Sequence, residues 1–422
     1  PGTGGSGSFS VQTAPGCGWT SVSSAPSWLR IVDPPVSSYQ ASWAAVTPSG
    51  APPLARNQVT SQYDAPSDRL IISGGNHYGS LQNDVWVLSG ATRSATPVWS
   101  RVSAQGTAPP VRQGHVSGYD PATNRMVIHG GWPGLADTWL LTNANGLGGA
   151  SEWVRLPDAP FDRTGAAAAY DSVSNRLIVY GGTDVDYYTL QGWHADVWVL
   201  QDANGVGAPS WVRLQPVGTP PPPRYYAGAA YDPNSNRLII YGGAGPSAVL
   251  SDLWVLTNAN GLGGTPEWLQ FQVSGPGPRA GHHLGYDAAN RRAVLVGGDA
   301  ASGRPADVWV LENADGSTGS PTWRLAGTTG DFDGNSVPAF AFEPATGRLT
   351  LALGVRGGEY RDDVWSGVLS AGGSSRGPTG SGAPGWLGNP ARQEGQTKRA
   401  RGRGPRLDGA AARGPAWSGQ RS

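Results

Sequence analysis

One short pattern, Asp-x-Trp, occurs six times along this 422-residue chain and constrains its fold more than any other feature. The copies are Asp84–Trp86, Asp137–Trp139, Asp196–Trp198, Asp252–Trp254, Asp307–Trp309 and Asp363–Trp365. Successive aspartates lie 53, 59, 56, 55 and 56 residues apart. A fixed period of this kind marks an array of one structural unit, in which each unit buries its apolar faces against its neighbours.

Each copy carries the same companions. Upstream stands an aromatic–acid pair: Tyr63-Asp64, Tyr119-Asp120, Tyr170-Asp171, Tyr231-Asp232, Tyr286-Asp287 and Phe342-Glu343. An arginine then opens an apolar run, at Arg69, Arg125, Arg176, Arg237, Arg292 and Arg348. In five copies the run ends in Gly-Gly (Gly74-Gly75, Gly130-Gly131, Gly181-Gly182, Gly242-Gly243, Gly297-Gly298), and the sixth has Leu353-Gly354. A further tryptophan precedes each unit, at Trp43, Trp99, Trp153, Trp211, Trp268 and Trp323. Short apolar, β-branched runs between turn residues read as buried strands, four to a unit. With 64 Gly and 36 Pro there is little room for long helices, while 18 Trp argue against a disordered chain.

Four strands in a repeat of about 50 residues, with Gly-Gly after the second, is the pattern of a propeller blade. The Gly-Gly pairs followed by Asp-Val-Trp resemble the kelch repeat, over residues 43–370. The resemblance implies an all-β fold, a six-bladed kelch-type β-propeller with four antiparallel strands per blade. The long Asn-Ala-Asn-Gly loops resemble those of exported bacterial kelch-type proteins, which implies an extracellular or cell-envelope location.

Trp43 stands ahead of the first unit, and no outer strand follows the last one. This predicts that residues 42–46 supply the outer strand of the final blade and close the ring. The expected organisation is a flexible segment at 1–38, a propeller at 39–370 and a disordered, basic Gly/Pro/Arg-rich tail at 371–422.

A residue present in every unit is expected to serve architecture. Arg56, Arg112, Arg163, Arg224 and Arg279 recur seven residues before the Tyr-Asp pair, with Asn335 in the sixth unit. They have two readings: a bidentate pair with the aspartate of the same blade, reached across the glycines, or a ring of cations around a funnel mouth that attracts an anionic ligand. Residues that do not recur are the other ligand-binding candidates. His77, Tyr78, Trp132, Asp184, Asp186, Tyr187, Tyr188, Trp193 and His194 fall on loops of one face, and Tyr225, Tyr226, His282 and His283 lie nearby. Aromatic rings beside hydrogen-bonding groups suit a peptide or a sugar. The longest such loop, residues 183–195, makes the third blade the expected seat of specificity.

Catalytic chemistry finds little support. Galactose-oxidase-type copper sites need a Tyr–Cys crosslink, and the only cysteine, Cys17, lies outside the repeats. Adjacent His282 and His283 point to opposite faces of a strand and make a poor metal pair. No catalytic motif has its required context, so no cofactor or metal is expected. No apolar run is long enough to span a membrane. The tail holds nine basic residues against Glu394 and Asp408, which leaves the body at a net charge of −7. An acidic body speaks against nucleic acid as its ligand. The expectation is a noncatalytic, monomeric module that binds a protein or glycan through one loop face. The alternatives are a sugar-active enzyme using His115, His282, His283 and the arginines in the funnel, or a structural adhesion protein.

Overall fold

The computed structural model describes residues 39–184, 192–301 and 303–371. The N-terminal segment, residues 372–422, and the candidates Asp186, Tyr187 and Tyr188 lie outside the described residues. Strand is the only regular structure among those described.

The four β signals of each repeat form one antiparallel sheet, and six such sheets surround an axis. Blade 1 runs outward from the axis as Thr60–Asp64, Arg69–Ser73, Val85–Ser89 and Val98–Val102. The innermost strands of the later blades are Val116–Asp120, Ala167–Asp171, Gly228–Asp232, His283–Asp287 and Ala339–Glu343. Each innermost strand contacts its counterparts in both neighbouring blades, so the inner strands enclose a channel.

The ring closes as the order of tryptophans requires. Tyr39–Val46 pairs antiparallel with Val364–Ala371 along its whole length, from Tyr39 opposite Ala371 to Val46 opposite Val364. The closing strand is longer than the five residues expected, and the last strand extends to Ala371, into what the sequence suggested was tail. Trp43 faces Gly367, where a Cβ would lie 2.8 Å from the indole.

There is no single central core. Six apolar layers fill the six boundaries between blades, because each sheet has two faces and each packs on a neighbour. Between blades 1 and 2, Ile71 and Val87 meet Met126, Ile128 and Trp139. Between blades 6 and 1, Ala341, Leu353 and Val364 meet Leu70, Ile72 and Trp99.

The glycine pair sets how closely blades approach. A Cβ on Gly130 would stand 2.5 Å from the Arg163 carbonyl oxygen of the next blade. The following N–H, on Gly131, donates to that same oxygen at 2.7 Å. The series is completed by Gly354 of blade 6, whose N–H donates to Arg56 O of blade 1 at 2.8 Å.

Candidate functional site

The recurring arginine, aspartate and tryptophan form one clamp per blade. In blade 4, Arg224 Nη1 and Nη2 donate to Asp252 Oδ1 and Oδ2 at 2.6 and 2.8 Å, and Nη1 also donates to Gly242 O. Trp254 Nε1 donates to Asp252 Oδ2 at 2.7 Å. Arg56–Asp84, Arg112–Asp137 and Arg279–Asp307 repeat the bidentate geometry. Arg163 instead reaches both Asp196 oxygens through Nη2 and lies over the Phe161 ring. Burial pushes the Asp84, Asp137 and Asp252 carboxyls up, but the hydrogen bonds from arginine and tryptophan outweigh it and hold all three below the usual carboxylate range.

This geometry corrects the funnel reading of Arg56, Arg112, Arg163, Arg224 and Arg279. All five are 5% exposed or less, and each is neutralised by its own blade. No cation is left there for an anionic ligand. In blade 6, Asn335 Nδ2 keeps the bond to the residue 353 carbonyl but is too short to reach Asp363. Arg356, from the loop after the second strand, takes over, with Nη2 2.7 Å from Asp363 Oδ2.

The channel begins at a collar of six residues, one per blade: Gln58, Gly114, Gly165, Tyr226, Gly281 and Val337. All have left-handed φ, between 46° and 67°. Each N–H from Gly114 to Val337 donates to the preceding collar carbonyl, at 2.7–3.0 Å. Below the collar, blades 1 and 2 present Thr60, Ser61, Gln62 and Ser117, blades 3 and 4 present alanines, blade 5 presents His282, His283 and Leu284, and the space measures about 180 Å³. Among the described residues, no Asp, Glu, Lys or Arg lines it.

The histidines do not assemble a reactive centre. His115 and His282 occupy equivalent positions on blades 2 and 5, three blades apart, and are 6% and 4% exposed. His282 is wedged against Gly228 and Gly242, and its ring meets Tyr241 edge-on. Burial, then the Arg279 charge, lowers it to about 3. His283 Nε2 donates to Pro338 O, 2.8 Å away, and the ring stacks on Phe340. Their opposite orientations agree with strand alternation. Among the described residues, no group of three His, Cys, Asp or Glu is placed to hold a metal ion, and no helix is long and apolar enough to cross a membrane.

The remaining candidates gather in two places on the loop face. His77 and Tyr78 sit at the boundary of blades 1 and 6, where Tyr78 packs 4.4 Å from Tyr360 and donates to Glu359 Oε2. Trp193, Tyr225 and Tyr226 form a run of ring contacts leading from blade 3 to the collar. His194 Nε2 lies 3.1 Å from Asp184 Oδ2 beside this run. Trp132 stands apart, 39% exposed. Sequence reasoning missed Tyr360 and Glu359. They lie on the sixth loop of the same kind as the one bearing Tyr78, so extending the loop comparison to the last unit finds them.

A model of kelch-repeat domains, described as that of KLHDC2, KLHL20 and DRC7, matches residues 194–366. The fold is a six-bladed β-propeller, and its second half is similar to kelch repeats. Acyl-CoA-binding domain-containing protein 5 of Arabidopsis thaliana is 29% identical over 284 residues, covering 64% of this chain and 40% of that protein. Kelch repeat-containing protein 2 of Saccharomyces cerevisiae is 27% identical over 220 residues, 48% of this chain and 23% of that protein. Serine/threonine-protein phosphatase BSL2 of Arabidopsis thaliana is 36% identical over 107 residues, 25% of this chain and 10% of that protein. The chain thus spans less than half the length of each of these relatives.

Proposed function

We propose that this propeller is a noncatalytic docking module that binds a protein partner through its loop face, and that it acts as a monomer. The observation that carries the reading is the different use of the two ends of the blades. At one end the loops are committed to holding neighbours: Asn145, Asn204 and Asn260 donate across blade boundaries to Asp64, Asp120 and Asp171. At the other end stand side chains with no part in the repeat. Tyr78 is 62% exposed, with Tyr360 and Glu359 beside it, and Trp132 is exposed as well. Exposed aromatic residues with adjoining polar groups are the usual anchors of protein interfaces. Ring closure within a single chain supports the monomer, since no blade boundary is left for a second copy to fill.

Quantitative cross-linking of the immobilised propeller to proteins of its source cell tests this. A partner should be enriched by the native protein, lost with Tyr78→Ala/Tyr360→Ala, and retained with Leu147→Ala on the opposite face. Loss with the Leu147 variant alone overturns the assignment of the face. The Tyr78–Tyr360 pair beside a carboxylate also favours a second reading, stacking of a sugar ring. Binding on a glycan array that disappears in the same double variant would select it.

A further inference from the structure

We propose that the collar at the channel mouth is a receptor for an uncharged aromatic side chain of a partner protein, and that Tyr226 now occupies the seat this side chain takes. The partner's existence rests on the docking role proposed above; the seat itself does not.

Glycine holds the collar position in blades 2, 3 and 5, where the left-handed backbone requires no side chain. Tyr226 holds it in blade 4 with φ of 50°, a conformation disfavoured for a bulky residue. Its ring lies back over the bare backbone of the two preceding collar glycines. A Cβ on Gly114 would stand 2.7 Å from Tyr226 Oη, and one on Gly165 would stand 3.3 Å from Tyr226 Cε1. Two missing side chains and one extended ring therefore form a seat and its occupant within one molecule. Strain held at such a site points to function.

Three further features say what kind of group replaces Tyr226. Among the described residues no Asp, Glu, Lys or Arg lines the space beneath the collar, so burying a charged group there would go uncompensated. Its walls are hydroxyl and amide groups on one side and alanines on another, with the neutral imidazoles of His282 and His283 between, which suits an aromatic ring with a neutral polar tip. Gln58, Tyr226, Gly281 and Val337 also line a second cavity of about 300 Å³ on the loop face, whose charged lining residues, Asp299 and Arg304, neutralise each other at 2.8 Å. Displacement of one ring thus joins the outer cavity to the channel. The contacts of Tyr226 with Tyr225, and of Tyr225 with Trp193, provide a surface along which the displaced ring and the incoming group exchange.

The test uses p-cresol as the aromatic probe and 4-methylbenzoate as its charged analogue, titrated by NMR line broadening. Wild-type protein should bind p-cresol saturably in the millimolar range. Tyr226→Gly, the residue three other blades use at this position, should bind it at least ten-fold more tightly, because nothing has to be displaced. Tyr226→Phe keeps the seat filled and should match the wild type. If Tyr226→Gly fails to fold, Tyr226→Asn replaces it, since asparagine tolerates left-handed φ. None of these proteins should bind 4-methylbenzoate. No saturable binding to the wild type, equal affinities for Tyr226→Gly and wild type, or equal binding of the two probes overturns the proposal. Because the probe requires no partner, loss of the docking role would leave the p-cresol result unchanged, and the two failures are distinguishable.

Discussion

Arg224 and Asp252 meet through two parallel hydrogen bonds, with the Trp254 indole on the second carboxylate oxygen and the Gly242 carbonyl on the guanidinium. Removing Asp252 leaves the fully buried Arg224 without its counter-charge, and removing Arg224 leaves the partly exposed Asp252 with only the Trp254 bond, so each loss costs up to about 3–5 kcal/mol, the Asp252 removal more. Arg224→Ala and Asp252→Ala should each fall in that range by urea unfolding. The double variant should lose much less than the sum of the two single losses. Additive losses would show that the two residues act independently.

Arg356 performs in blade 6 what the inner arginine performs elsewhere, but from a loop. It is more accessible than the other five, and so its pair with Asp363 is screened by water. Arg356→Ala should destabilise by about 1–2 kcal/mol, less than Arg224→Ala. Asn335→Arg should return part of that loss when combined with Arg356→Ala, as read from the same unfolding curves.

Trp43 joins the first strand to the last blade, against Gly367 and Phe332. Trp43→Ala removes a buried indole and should cost about 3–5 kcal/mol. Hydrogen exchange should show the added opening concentrated at the pairing of Tyr39–Val46 with Val364–Ala371. Uniform loss of protection across all blades would show that this seam is no weaker than the others.

His282 is held neutral by burial, with the Arg279 charge adding to the effect, at about 3. His129, also buried, is lowered to about 3. An unfolded histidine titrates near 6.5, so between about 6.5 and 3 the unfolded chain binds protons that the native state does not. Stability should therefore fall as pH drops through that window, by up to about 1.4 kcal/mol per pH unit for each histidine. His282→Gln should flatten the acid side of a plot of unfolding free energy against pH. An unchanged slope would sink this account of acid sensitivity.

Much of the architecture was legible because a propeller repeats it. Asp-x-Trp and the strand-four tryptophan each appear once per blade and Gly-Gly in five of the six, and their order implied both the six blades and the seam between 42–46 and the last unit. The binding face was legible only in part. Loops of one type were recognisable, and Tyr78 and Trp132 proved exposed. Tyr360 escaped notice because its contact with Tyr78 spans 282 positions of sequence, across the seam.

The amino-acid sequence alone determined the fold and the two possible fates of the inner arginines, since spacing and strand alternation bring Arg and Asp to the same end of one blade. Which fate applies was decided by the tertiary structure. Burial pairs each guanidinium with the aspartate of its own blade, so a ring of potential cations becomes a ring of neutral clamps. The collar, too, exists only in three dimensions. Gln58, Gly114, Gly165, Tyr226, Gly281 and Val337 are of four residue types and lie far apart in the chain. Ring closure places their left-handed backbones in sequence around one axis, where each N–H from Gly114 onward finds the carbonyl before it.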